Sequence, residues 1–236
     1  MERSLVKIQN INVDTFTFLE ALEYAKCGQV VTLNPEMIAY ASGHEDFAKI
    51  LEEAELVIPD GIGVQIGLKI LGHEVRRIAG VEFAKKVLEK FAMTGKSIAL
   101  VGAKPEIISK TVENLKSEIP GVDIVYARDG YFEDMDEVIN ELSQTQAQLV
   151  LTALGSPKQE DFNYKAKKLM PNTLFIGVGG SFDVWSGEVK RAPEIYQRLG
   201  LEWLYRTVKE PKRFKRIFPT LPLFVIKVLK EKFTGV

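Results

Sequence analysis

A Rossmann-like α/β fold, with a mostly parallel sheet covered by helices on both faces, is predicted from three patterns in these 236 residues. Short apolar runs rich in Val and Ile recur along the chain, segments with apolar residues at helical spacing lie between most of them, and glycine and polar residues gather just after the runs. Continuous apolar strands separated by helices imply strands buried on both faces, which is the signature of a parallel sheet.

The elements follow in order. VKIQNI (6–11) reads as the first strand, and TFTFLEALEYA (15–25) as an amphipathic helix. QVVTLN (29–34), EDFAKILEEA (45–54), LVIPD (56–60) and VEFAKKVLEKFA (81–92) continue the alternation of strand and helix. SIALVG (97–102), PEIISKTVENLKSEI (105–119), DIVYAR (123–128) and DEVINELSQ (136–144) extend it, and QLVLTAL (148–154) and TLFIGVG (173–179) complete the strands. The alternation stops near residue 195. The expected division is an α/β catalytic domain over 1–194 and a basic, apolar helical appendage over 195–236.

Composition narrows the class. Hydrophobic residues at 46% and charged residues at 27% are ordinary for a folded globular chain. No run has the roughly 20 apolar residues that span a bilayer, and MERSLVKIQNINVD lacks a signal peptide's apolar stretch. A cytoplasmic address is expected. The single cysteine, Cys27, follows a helical pattern and reads as a helix-end residue rather than a nucleophile. The overall charge of −1 conceals a division. Residues 206–232 hold nine Lys or Arg against Glu210 and Glu231, a net of +7, which leaves −8 for the remainder. An acidic body with a basic, apolar tail signals a partner.

Ligands of such sheets bind beyond the C-terminal ends of the strands. Five ends there carry polar or glycine residues: Asn34-Pro35, Asp60-Gly61-Ile62-Gly63, Gly102-Ala103-Lys104-Pro105, Gly155-Ser156-Pro157-Lys158, and Gly179-Gly180-Ser181-Phe182-Asp183. Gly102–Pro105 and Gly155–Lys158 read as strand, glycine turn, then helix with proline in its first turn. Backbone N–H groups at such starts favour anions, and a pair of them suits a nucleotide diphosphate. Asp60, at the end of an apolar strand, reads either as a helix N-cap or as a base that removes a hydroxyl proton.

Competing readings fare less well. Gly61-Ile62-Gly63-Val64-Gln65-Ile66-Gly67 has one residue too many for the dinucleotide fingerprint and follows the third strand rather than the first. The sequence has no GxxxxGK[ST] loop, and His44 and His73 are the only histidines. No zinc site is therefore expected. Asp134-Met135-Asp136 resembles a metal-holding D-x-D but opens DEVINEL, where acids stabilise a helix start. Neither a metal nor a cofactor is expected. Trp185 and Trp203 read as packing.

Taken together the turns resemble the WecG/TagA/CpsF glycosyltransferases over nearly the whole chain. The resemblance rests on Thr32-Leu33-Asn34-Pro35, Pro59-Asp60-Gly61, Arg77-Ile78-Ala79-Gly80, Gly102-Ala103-Lys104 and Gly155-Ser156-Pro157-Lys158-Gln159-Glu160. It extends through Gly179-Gly180-Ser181-Phe182-Asp183, Arg191-Ala192-Pro193 and Gly200-Leu201-Glu202-Trp203-Leu204-Tyr205-Arg206. It implies an inverting transfer of N-acetylmannosamine from a UDP-sugar donor to undecaprenyl-diphosphate-linked N-acetylglucosamine, in wall teichoic acid linkage-unit synthesis. A relative using another UDP-sugar, or a non-catalytic nucleotide-sugar sensor, remains an alternative.

By the same resemblance Asp60 is the base, with Thr32, Arg77 and Gln159 as further catalytic residues. The substrate-binding residues would be Asn34, Gly61, Gly102, Ala103, Gly155, Lys158, Gly180, Phe182 and Asp183. Arg206, Arg213 and Arg216 would join them from the tail. Arg77 also reads as one of a surface pair with Arg76. The tail sets its cations among Phe214, Ile217, Phe218, Leu221, Leu223, Phe224, Val225 and Ile226. Cations beside bulky apolar groups suit the inner, anionic face of a membrane better than nucleic acid. In solution that apolar surface would be mobile or covered at a contact between copies of the chain.

Overall fold

The computed structural model describes residues 3–198, 200–209 and 211–234, with the side chains of all but 198, 206, 209 and 211–219. The run predicted as the first strand contains a turn. β1 (Leu5–Ile8) and β2 (Ile11–Asp14) form an antiparallel hairpin in which Ile8 faces Ile11. Gln9 and Asn10 both take positive φ, 46° and 64°, as a two-residue hairpin turn matched to strand twist requires.

The remaining strands are β3 (Gly28–Leu33), β4 (Leu56–Pro59), β5 (Ser97–Gly102), β6 (Asp123–Arg128), β7 (Leu149–Ala153) and β8 (Leu174–Gly177). They form one parallel sheet in the order β4-β3-β8-β7-β5-β6, as the fold class required. The helices among the described residues are, in chain order, α1 (Phe18–Tyr24), α2 (Pro35–Ala41), α3 (Glu45–Glu52), α4 (Ile62–Ile70), α5 (Gly80–Met93) and α6 (Pro105–Glu118). They continue with α7 (Met135–Gln144), α8 (Lys158–Leu169), α9 (Ser181–Trp185), α10 (Glu194–Arg198), α11 (Glu202–Lys209) and α12 (Pro211–Thr234).

Alternation along the strands divides the core in two. Val30, Ile58, Leu100, Leu151 and Ile176 point to one face, where they meet α1, α5, α6 and α9. Their neighbours Val31, Val57, Val101, Val150 and Phe175 point to the other, against α2, α3, α4, α7 and α8. The edge strand β4 is not left bare. Asp14, almost fully buried, accepts the Val57 N–H at 2.7 Å and pairs with Arg3 at 2.6 Å.

The tail is tied into this body. Phe224 and Val228 of α12 are buried in the cluster that holds Ile8, Val64 and Leu68. A Cβ on Gly67 would lie 2.9 Å from the Phe224 ring and 2.7 Å from Ile8, so glycine there lets α4 and α12 meet. Glu231 accepts the Gln9 N–H at 3.0 Å, and Lys227 donates to Ser42 at 3.1 Å. Part of the tail's apolar surface is thus covered by its own chain. Leu223, Ile226, Leu229 and Phe233 remain exposed. Deleting residues from 195 onward would remove no strand but would uncover this cluster.

Phe224→Ala should therefore lower stability by about 3–5 kcal/mol in denaturant unfolding, the range for a buried aromatic. Phe233→Ala, at 82% exposure, should stay within about 0.5 kcal/mol. Equal effects would show that α12 is not packed as described.

Candidate active site

A cleft of about 590 Å³ opens at the C-terminal ends of β3, β4, β7 and β8. It lies outside the carboxyl ends of the parallel strands, where ligands of such sheets bind. Thr32, Asn34, Asp60, Gly61, Arg77, Gly155, Gln159, Gly180 and Asp183 all line it, as the sequence led us to expect.

Parallel pairing sets the first two. Thr32 lies beside Ile58 in register, and the next residue pair, Leu33 and Pro59, brings Asp60 to the edge. The Asp60 N–H donates to Leu33 O at 2.8 Å, which fixes the backbone where the strand ends. Gly61, at φ 84°, then turns the chain into α4 and donates its N–H to Asp60 Oδ1 at 2.8 Å. The Gly80 N–H also donates to this carboxylate. A Cβ on Gly80 would sit 3.1 Å from Asp60 Oδ2 and 2.9 Å from Thr32 Cγ2. Only glycine allows α5 to start this close. The Thr32 hydroxyl donates to Gly177 O at 3.3 Å, joining β3 to β8 below the cleft floor.

Asp60 is only partly exposed, and loss of water around it pushes its carboxyl above the ordinary aspartate value. The Arg77 charge and the Gly80 and Gly61 N–H groups pull the other way, while the Glu202 charge adds to the rise. A carboxyl raised in this way is a better proton acceptor at neutral pH than an ordinary surface aspartate. Arg77 is held by its Nη2, which donates to Gln197 O at 3.1 Å. Its backbone N–H donates to Gln65 Oε1 at 3.3 Å.

Asn34 caps α2, its Oδ1 accepting the N–H groups of Glu36 and Met37 at 3.0 and 3.1 Å. Gln159 is 4% exposed and accepts the Gly179 N–H at 3.1 Å. Gly102, Ala103 and Lys158 do not line the cleft. They form an adjoining turn at the ends of β5 and β7, where Ala103 N–H donates to Ala153 O and Lys158 lies 4.3 Å over the Phe132 ring. Phe182, expected at the donor, is instead fully buried, with its ring 5.8 Å from that of Trp185. Its alternation on α9 sends the ring into the core and leaves Asp183 at the cleft. The side chains of Arg206, Arg213 and Arg216 lie outside those described.

Several cleft residues were not singled out as site residues from the sequence. Pro35, Gly63, Gly200, Glu202, Trp203, Thr220 and Leu221 line it, the last five supplied by the chain after residue 195. Trp203, read as packing, therefore faces the cleft. Gly63 and Gly67 serve α4 packing: a Cβ on Gly63 would meet Pro35 at 2.6 Å. At the other candidate motif, Asp134 Oδ1 accepts the N–H groups of Asp136 and Glu137 and so caps α7.

The chain is similar to known proteins along most of its length. A model of the WecG/TagA/CpsF glycosyl transferase family matches residues 6–236. A Bacillus subtilis protein named N-acetylglucosaminyldiphosphoundecaprenol N-acetyl-beta-D-mannosaminyltransferase is 37% identical over 231 residues, covering 95% of this chain and 90% of the relative. A Bacillus spizizenii protein of the same name is 37% identical over 212 residues, covering 89% and 82%.

A carboxyl-detected NMR titration of Asp60 should give a midpoint above the usual value of about 3.9. Arg77→Ala should raise it further, because a neighbouring positive charge is removed, and Glu202→Gln should lower it. A wild-type midpoint at or below the usual value would contradict the desolvated setting of this carboxylate.

Proposed function

Because the chain belongs to the WecG/TagA/CpsF glycosyltransferase family, we propose that it moves N-acetylmannosamine from UDP-N-acetylmannosamine to N-acetylglucosamine carried on undecaprenyl diphosphate. The product would be a linkage unit for wall teichoic acid. The observation that carries this reading is Asp60, a water-poor carboxylate at the floor of a cleft large enough for a nucleotide-sugar.

In the proposed step a hydroxyl of the acceptor sugar attacks the anomeric carbon of the donor from the face opposite the diphosphate. The new C–O bond forms as the bond to the phosphate oxygen breaks, and the configuration inverts. The hydroxyl proton passes to Asp60, and UDP departs carrying the bond's electron pair. Arg77 and backbone N–H groups at the glycine turns favour the charge that builds on the departing diphosphate. Thr32 supports this arrangement by holding β3 to β8 at the cleft floor. Gly180 and Asp183 are placed to meet the donor from α9 and its preceding turn.

The mechanism proposed uses no metal: Arg77 and backbone N–H groups meet the diphosphate charge, and Asp134, the cap of α7, does not line the cleft. Transfer should therefore persist after exhaustive chelation with EDTA. A loss that Mg²⁺ or Mn²⁺ restores would contradict that view.

The acceptor's lipid anchor keeps its sugar close to the headgroups, so the cleft must work at the bilayer surface. No helix of the described residues is long and apolar enough to cross a membrane. Exposed Leu223, Ile226, Leu229 and Phe233 beside Lys227, Lys230 and Lys232 support peripheral binding by α12. Each cation near an anionic leaflet contributes about 1 kcal/mol. In this reading Arg206, Arg213 and Arg216 grip phosphate oxygens, for which a guanidinium fork is suited.

Purified protein given the lipid-linked acceptor and a panel of UDP-sugars should add one N-acetylhexosamine mass from UDP-N-acetylmannosamine. Transfer from a different UDP-sugar alone would overturn the donor assignment. Arg213→Glu with Arg216→Glu should weaken both transfer and co-sedimentation with anionic vesicles. Unchanged transfer would separate the tail arginines from the reaction.

A further inference from the structure

Behind the cleft wall, the second residue of the pair Gln159-Glu160 has no role in the step just described. Glu160 is 2% exposed and lies in the first turn of α8. Its Oε1 accepts the Nε2 of Gln159 at 2.7 Å, and the Oε1 of Gln159 in turn accepts the Gly179 N–H at 3.1 Å. Glu160 O accepts the Gln29 Nε2 at 3.1 Å, which fastens this turn of α8 to β3. The relay thus runs from the interior to the turn that presents Gly180 and Asp183 to the cleft.

The Gln159 amide has no room to find another arrangement towards β8. A Cβ on Gly177 would overlap its Nε2, so the amide occupies the space that any side chain at 177 would need. Its two ends are chemically different. The Gly179 N–H can only donate, so the amide oxygen must face it, and the amide N–H groups must then find an acceptor inside the protein. Glu160 supplies that acceptor. Without it a buried N–H group would be left unpaired, and Gln159 would gain by leaving Gly179.

We infer that Glu160 is a positioning residue for the transfer reaction: by accepting from Gln159 it holds the Gly179–Gly180 turn, and with it Asp183, in register with the sugar donor. The inference rests on the proposed function for the identity of that donor, but the relay itself exists without substrate. Burial also pushes the Glu160 carboxyl above its ordinary value, which favours the neutral acid. Glutamine is the neutral isostere and keeps an acceptor oxygen in the same place.

The test compares Glu160→Gln with Glu160→Leu in the full chain. Glu160→Leu should raise the donor KM and lower kcat/KM by about ten- to hundredfold, the scale of a small misplacement of reacting groups. Glu160→Gln should recover kcat/KM to within about threefold of wild type. Because Glu160 acts through Gln159, adding Glu160→Leu to Gln159→Leu should cause little further loss. Hydrogen exchange supplies a measurement that needs neither transfer nor a folded leucine variant. The Gly179 amide should be protected in the wild-type protein and in Glu160→Gln. Glu160→Gln as damaging as Glu160→Leu, wild-type kcat/KM in Glu160→Leu, or an unprotected wild-type Gly179 would each overturn the inference. If the donor assignment alone is wrong, wild-type protein will not use UDP-N-acetylmannosamine, yet the exchange pattern will stand.

Discussion

A carboxylate partly withdrawn from water at the end of a parallel strand is the constraint around which the cleft is arranged. Asp60 occupies that place because β4 pairs with β3 in a register that ends at Leu33 and Pro59. Its charge is then met by two backbone N–H groups, from Gly61 and Gly80, and by the nearby Arg77. The glycines follow from this requirement. Gly61 must turn at φ 84°, and Gly80 must bring α5 against Thr32 and Asp60 with no Cβ between them. Desolvation raises the carboxyl while the N–H groups and Arg77 restrain the rise, a balance suited to a group that must be ionised before reaction and accept a proton during it.

The chain after residue 195 takes part in this balance. Glu202 places a second negative charge near Asp60, and Gln197 offers its carbonyl to Arg77. Trp203, Thr220 and Leu221 complete the lining, while Phe224 and Val228 are buried further along α12. The described apolar residues of α12 are therefore divided between the protein's own core and an exposed set. For an enzyme proposed to meet a lipid-bound acceptor, this links the position of the cleft to the position of the surface that would touch the membrane.

Much of this was legible in the sequence, for identifiable reasons. The six strands of the parallel sheet are apolar runs bounded by glycine and polar residues, and their C-terminal ends pointed directly at Asn34, Asp60, Gly155 and Gly180, while Thr32 came from the family resemblance. The hairpin was not legible as such, because Gln9-Asn10 lacks the glycine that usually marks a two-residue turn. The helix α4 was hidden by its glycines, which mimic a nucleotide motif but answer to Pro35, Ile8 and Phe224. Phe182 shares its turn with cleft residues and nevertheless points the other way, a matter of helical phase within five residues. Glu202 and Trp203 share the cleft lining with residues more than a hundred positions earlier, a proximity that no local pattern encodes.

The most direct measurement is the single-turnover rate of Asp60→Asn, taken together with its affinity for the UDP-sugar. The amide keeps the shape of the side chain but cannot accept the proton. The rate should fall on the order of 10²- to 10⁴-fold, the usual contribution of a general base, with affinity changed by no more than a few fold. A near-normal rate in this variant would contradict a base at Asp60.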